Sequence, residues 1–560
     1  MSRRFLITAL LFAPLPLLFA FEEQPKVEPP VVLSDSCARC HSNAESAVAM
    51  RDADGAPIAP HGLWKSSMMA NAARDPLWRA VLSSEIAATP AAKTEIEATC
   101  MRCHAPMADE VGLDDHDTGH LTHVLECDSE LGGLARDGVS CTICHTMDPA
   151  NLGTEASYSG GFKLNEEKRI FGPHNGVFTR PMRMMVGLVP GYAPHIKSSE
   201  LCATCHTLET QALDAKGDPV GATLVEQAPY LEWLNSDFSG AVEQSCQDCH
   251  MPTRDAVGRE LLTTIARHPR GVDFNLLEPR APFGRHLLAG GNTLVLAMLR
   301  DHADELGIDV PAAAFDATLD ATRAQLQQRS ARLELRDVKR SKSNAADGTE
   351  RELFELALDV QNLTGHKFPS AHPIRRAWLQ LVVRDAAGRP IFASGRVNNE
   401  GRIVDGRGDL LASEKVGGPI EPHHDVISSS KQVATFESKM GDIDGHPTHL
   451  LIRGASYLKD DRLLPKGWSA DHKEARRTWP AGTEGDKDFV GGSDRVHFAI
   501  DLTGKNAEGP LQVEATLMYQ ALGGRWAAEL FQYDTPEIKR FARYFAAADR
   551  SPEVIATATR

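Results

Sequence analysis

Ten of the eleven cysteines stand in pairs three residues apart, and each pair is followed at once by a histidine. The units are Cys37-Ala-Arg-Cys40-His41, Cys100-Met-Arg-Cys103-His104, Cys141-Thr-Ile-Cys144-His145, Cys202-Ala-Thr-Cys205-His206 and Cys246-Gln-Asp-Cys249-His250. Random placement at this composition gives roughly 0.008 such units, so five reflect chemistry. Two thiols at this spacing can form thioethers to the two vinyl-derived positions on one edge of a porphyrin. The adjacent histidine then reaches the iron as proximal ligand. Structural zinc uses cysteine pairs two at a time, which leaves one of five alone. Neither zinc nor a disulfide asks for the following histidine every time. The ten paired cysteines are therefore read as attachment points for five covalent haem c groups. His41, His104, His145, His206 and His250 are read as the proximal ligands.

Each iron needs a sixth ligand unless one is left open. Seventeen other histidines remain, and eight fall between residues 31 and 290: His61, His116, His120, His123, His174, His195, His268 and His286. An unselected histidine is as readily a hydrogen-bonded surface residue as a ligand. His195 is tethered seven residues before Cys202. His61 stands just ahead of Trp64, between the first two units, and His174 lies in Gly172-Pro-His-Asn-Gly176. His286 precedes the Gly290-Gly291 turn. His120 and His123 belong to a histidine-rich stretch that also reads as a solvated loop. His366 lies outside this region, in a Gly-containing loop between two predicted strands, and loops carry function more often than strands do. His423, His424 and His446 are weaker candidates. Met68, Met69, Met107, Met182, Met184, Met185 and Met251 are rival ligands but read better as packing residues. Cys127, the odd cysteine, reads as a small buried residue.

Beyond these units, the sequence resembles the exported multihaem cytochromes c allied to the nitrite reductase and hydroxylamine oxidoreductase superfamily. The stretches that carry the likeness are Trp64 to Trp78, Asp137 to His145, Glu226 to Ser236 leading into Ser245 to Pro252, and His286 with Gly290-Gly-Asn292. Farther on come Thr364-Gly-His-Lys-Phe-Pro369 and Lys459 to Gly467. Together they cover most of residues 35–530. The resemblance implies electron-transfer proteins, many without an assigned substrate, and it singles out His286 and the His366 motif. Pentahaem nitrite reductases that resemble this chain replace one proximal histidine by lysine, whereas all five units here end in histidine. Nothing marks the tyrosine cross-link of the hydroxylamine oxidoreductases.

The elements that must hold these residues divide the chain. All haem units precede residue 251, at irregular intervals that rule out a solenoid. A mainly helical and irregular multihaem cytochrome domain is expected at 31–310. Asp75 and Pro76 open one helix there, and Asn292 opens another. A linking helix is expected at 311–329. From 330 to 530 the apolar period becomes two, as in Phe354, Leu356, Leu358, Val360 and in Val496, Phe498, Ile500, Leu502, which predicts an antiparallel β-sandwich. A terminal helix capped by Thr535 is assigned to 535–560. The fold class is thus α+β and multidomain.

The composition, 42% hydrophobic and 24% charged, is that of a globular protein. Residues 1–20 read as a secretory signal: Arg3 and Arg4, then an apolar run interrupted by Pro14 and Pro16. An uncleaved anchor is the alternative, and no later stretch is long enough to span a bilayer. Cleavage after Ala20 would remove two arginines and no acid, taking the formal charge from −16 to −18. That charge argues against nucleic acid and suits basic or neutral docking partners. The expectation is an electron carrier in the periplasm, serving other redox proteins as donor and acceptor. The alternative is a reductase or oxidase of a small nitrogen or sulfur compound at one five-coordinate haem. A third reading is a scaffold that binds through its β-sandwich.

Overall fold

The computed structural model describes residues 29–112, 121–126, 128–344, 350–505, 507 and 509–560. The leader, His116, His120, Cys127 and the His123 side chain lie outside the described residues.

Residues 29–310 form short helices joined by long irregular connections. The five cysteine pairs ride on helices Ser34–His41, Lys93–His104, Cys141–Thr146, Ser199–Ala203 and Cys246–His250. Helical geometry explains why the spacing works. Positions i, i+3 and i+4 share a face, so both thiols and the histidine point the same way. The fourth unit differs, since its helix stops at Ala203 and leaves Cys205 and His206 beyond the last turn. Asp75 caps helix Pro76–Ala88 by accepting the Leu77 and Trp78 amides, and Asn292 caps Thr293–Asp301 through Val295. This region also holds two small sheets that the periodicity did not announce. Arg169–Gly172 pairs parallel with Val189–Tyr192, and Leu208–Leu213 pairs antiparallel with Pro219–Gln227.

Helix Ala312–Arg329 leads into a four-stranded and a seven-stranded sheet. The first has the order Val426–Ile427, Ser493–Asp501, Glu350–Asn362, Ala331–Asn344. The main path of the second runs Pro447–Thr448, Thr435–Gly441, Arg376–Arg384, Gln512–Gln520, Glu553–Thr559. Inward residues of both sheets, among them Leu356, Leu358, Phe498, Leu379, Leu381 and Leu517, share one hydrophobic core. Pairing is antiparallel except at Val426–Ile427, which lies parallel to Ser493–Asp501, so a purely antiparallel arrangement is corrected there.

The C-terminal assignment also needs correction. Thr535 caps a helix, but it ends at Ala547, and residues Glu553–Thr559 form a strand on the edge of the large sheet. Pro552 cannot continue a helix, and Val554, Ile555 and the threonines beyond it favour extended backbone. Helix Pro536–Ala547 lies against the N-terminal half: Ile538, Phe541 and Phe545 share a core with Leu77 and Val81 of helix Pro76–Ala88.

Candidate haem-binding cavity

All fifteen residues of the five Cys-x-x-Cys-His units line one continuous cavity of about 2070 Å³. A pocket for one small ligand is about 300–1,000 Å³, so this space is built for several large groups. The cysteines also define which units are neighbours. The Cys37 thiol lies beside Cys141, Cys103 beside Cys205, and Cys202 beside Cys246. Cys144 is close enough to Cys205 to feel its charge. The histidines repeat the pattern: His41 feels His145, and both His104 and His250 feel His206. The first unit therefore adjoins the third, the third adjoins the fourth, and the fourth also touches the second and the fifth.

The histidine side chains are prepared for metal binding. A ligating imidazole normally donates its second ring N–H to a fixed acceptor, which sets the tautomer and frees the other nitrogen. His41 Nδ1 lies 3.0 Å from the Ile265 carbonyl, and His104 Nδ1 lies 3.1 Å from that of Ala72. His145 Nδ1 is 2.6 Å from the Phe171 carbonyl, and His250 Nδ1 is 2.7 Å from that of Ala289. Burial keeps these rings neutral, holding His104 and His250 down at about 4, so the lone pair stays on Nε2.

Two of the histidines considered as sixth ligands show the same preparation. His286 Nδ1 is 3.1 Å from the Gly284 carbonyl, and His366 Nδ1 is 2.8 Å from that of Lys367. The His286 ring faces that of His145 with centroids 6.3 Å apart and planes 21° from parallel. His61 lines the cavity near His41, and its buried Nε2 has no hydrogen-bond partner. His366 lies near both His206 and His250.

Two others depart from this arrangement. His195 does not line the cavity; its Nε2 lies 3.1 Å from the Met147 carbonyl and its ring sits edge-on to Phe171. His174 lines the cavity beside Arg280 and Lys197, and no proximal histidine is among the charges that act on it. Sequence reasoning missed His372. It lines the cavity near His104, its buried Nδ1 has no partner, and burial drives it down to about 3. The available signal was its place six residues after His366 in the same inter-strand loop. Of the methionines considered, Met68, Met69, Met182, Met185 and Met251 line the cavity, while Met184 is exposed.

The loop carrying His366 and His372 is held by a buried ionic network. Lys367 Nζ is 2.6 Å from Asp460, Arg462 Nε is 2.7 Å from the same carboxylate, and Arg462 Nη1 is 3.2 Å from Glu232. Glu232 also accepts the Lys367 amide at 3.0 Å and the Ser370 hydroxyl at 2.6 Å. Three of the stretches singled out in the sequence, at 226–236, 364–369 and 459–467, thus meet at one junction between the cavity and the sheets. Buried charges of this kind hold only when each is paired, so the network fixes the loop's position.

No family model matches the chain, and no curated protein does. Among solved structures, the penta-heme cytochrome c552 from Thermochromatium tepidum aligns over 95% of this chain and 100% of its own, with 17% identity and a TM-score of 0.49. So loose a match establishes neither a shared ligand set nor a shared activity. Among the described residues, no helix is long and apolar enough to cross a membrane.

Proposed function

We propose that this chain is a multihaem c-type cytochrome that carries electrons outside the cytoplasm through five covalently attached haems. The observation that carries the reading is the convergence of all five units on one cavity, with thiols of neighbouring units in contact. When bound, such groups supply one-electron chemistry at potentials set by axial ligand and surroundings. The chain's part is to hold them close, in the order first, third, fourth, fifth, with the second branching from the fourth.

The cysteines of each unit attach the group, and His41, His104, His145, His206 and His250 take the proximal positions. His286, near His145, His372, near His104, and His61, near His41, would supply sixth ligands. His366 serves either His206 or His250. His195 and His174 rank behind these, because His195 does not line the cavity and His174 lies beside Arg280 and Lys197. On this reading residues 330–530 form a β-sandwich domain that completes a haem site from outside the cytochrome domain. Residues 1–20 direct export to the periplasm, and redox proteins are the partners.

Mass spectrometry of the denatured, exported protein tests the cofactor load: the polypeptide should carry five haem masses and begin near Phe21. His366→Ala should keep all five, since attachment needs only the cysteines, while one more iron becomes high-spin and binds carbon monoxide. Spectra and carbon monoxide response equal to the parent's, in a folded variant, would reduce His366 to a turn residue. A second reading rests on the sharing of His366 between two proximal histidines, which leaves one iron with an open position. A reductase or oxidase of a small nitrogen or sulfur compound would use it. Carbon monoxide binding by one haem of the reduced parent is its signature; no binding favours the pure carrier.

A further inference from the structure

The sheet half contains a second cluster of ligating side chains, away from the cavity. His423, Asp486 and Asp494 each bring a ligand atom within 4.8 Å of the others. They come from three separate stretches: the segment before strand Val426–Ile427, the loop before Ser493, and strand Ser493–Asp501. None of them lines the haem cavity.

The cluster is built rather than incidental. His423 Nδ1 lies 3.1 Å from Asp461 Oδ2, and its Nε2 lies 2.9 Å from Asp486 Oδ2. Asp461 is fully buried and anchored, accepting the Glu437 amide at 2.9 Å and facing Lys459 Nζ at 3.1 Å. Asp486 is held by the amides of Asp488 and Phe489, at 3.0 and 3.1 Å. Asp494 is 1% exposed, and neither of its carboxylate oxygens has a hydrogen-bond partner.

That last observation decides between two explanations. A protonated His423 would satisfy Asp461 and Asp486 with its two N–H groups but has no third for Asp494. A buried carboxylate left without a partner is strongly unfavourable. A cation seated among the three residues removes the deficit. It also explains Asp461, because a carboxylate on the far nitrogen is what orients a metal-binding imidazole.

We propose that His423, Asp486 and Asp494 bind one divalent transition-metal ion of the Zn²⁺ type, with Asp461 as the positioning residue for His423. An imidazole with two carboxylates suits Zn²⁺ better than Ca²⁺ or Mg²⁺, which take oxygen ligands. Asp425, Asp488 and His497 form a more exposed group beside it, joined to the site by the Asp488 amide, which donates to Asp486. The ion would tie the loop before Ser493 to the sheet and to the segment around His423.

The test uses the haem-loaded protein, stripped with EDTA and titrated with Zn²⁺ at neutral pH by calorimetry, with metal content measured against iron. One Zn²⁺ per chain is expected beyond the haem iron, with a rise in the unfolding temperature. Asp494→Asn, which keeps the shape, should weaken binding at least tenfold and abolish that rise; should it fold poorly, Asp486→Asn reads the same interaction. His446→Ala, in the exposed Asp442–Asp444–His446 group at a hairpin tip, should change neither. Failure to take up Zn²⁺, uptake indifferent to both aspartate variants, uptake lost with His446→Ala, or tighter binding of Ca²⁺ than of Zn²⁺ would each overturn the assignment.

Discussion

The two halves of this chain solve the problem of a core differently. In the sheets, side chains alone close one continuous apolar interior, with Leu358, Val360, Leu379, Leu381, Val496 and Ile500 excluded from solvent. Around the cavity the buried apolar residues fall into separate clusters, each backing one part of the wall. Their linings meet at one cavity of about 2070 Å³. The first kind of core comes from the alternation of a strand, while the second, on the proposed reading, is completed by attached haems.

Withholding haem attachment is the strongest way to test that contrast. Chain produced without haem maturation should lose the fold of residues 29–310, because the cavity walls have nothing to pack on. The sheets should persist. Limited proteolysis should then leave a resistant fragment beginning near helix Ala312–Arg329, with strand circular dichroism retained. Equal protection of both halves would show that the N-terminal wall is self-supporting.

Truncating the sheet core should do the reverse. Phe498 is 1% exposed and packs in the core common to both sheets. Phe498→Ala should cost about 3–5 kcal/mol of stability in denaturant unfolding, through lost burial and the cavity left behind. Haem content should stay at the parent's value under native conditions. Haem loss in step with unfolding of the sheets would mean that the halves melt as one unit.

The same contrast explains what the sequence made legible. The Cys-x-x-Cys-His pattern is local, written within five consecutive residues, so every unit could be read directly from the sequence. Strand periodicity is local too, and the strands around Leu358, Leu381 and Phe498 lie where the alternation put them. Sixth ligands are long-range. Nothing near His286 announces that its ring will face His145, and His372 drew no notice because its partner region lies far back in the chain. His195, close in sequence to Cys202, does not line the cavity; its Nε2 meets the Met147 carbonyl and its ring feels the charge of His145. The strand Glu553–Thr559 was lost because a correctly read cap at Thr535 was extended past Pro552.

A narrower probe of the cavity half is His286→Ala. Its ring lies 6.3 Å from that of His145, centroid to centroid, and the proposed reading makes it a sixth ligand. The variant should retain five covalent haems and its overall stability. One iron should become high-spin and gain carbon monoxide binding, with a shifted potential. Magnetic circular dichroism can count the converted haem. No conversion in a folded variant would remove His286 from the ligand set and leave the ring pair as packing.

The smallest expected effect falls where the two halves touch. Helix Pro76–Ala88 packs Leu77 and Val81 with the C-terminal helices, and Trp78 and Leu82 in the cluster that includes Ile96 and Leu125, so its start belongs to both cores. Asp75 caps it, one carboxylate oxygen accepting from Leu77 at 2.8 Å and from Trp78 at 3.1 Å. Asp75→Ala should cost about 1 kcal/mol, within the 0.5–2 kcal/mol range of lost caps. The carboxylate is also buried, and burial outweighs the two amide bonds, raising it from 3.8 to about 6. A raised carboxylate binds its proton more tightly in the folded state. Its contribution to stability is therefore complete below the ordinary value of 3.8 and is lost as pH climbs through 6. Asp75→Asn keeps an acceptor for the amides but cannot ionise, so it should preserve the cap and flatten stability against pH across that interval. If Asp75→Asn instead follows the parent's pH profile, the ionisation there belongs to another group, and Asp75 acts at this junction as a cap alone.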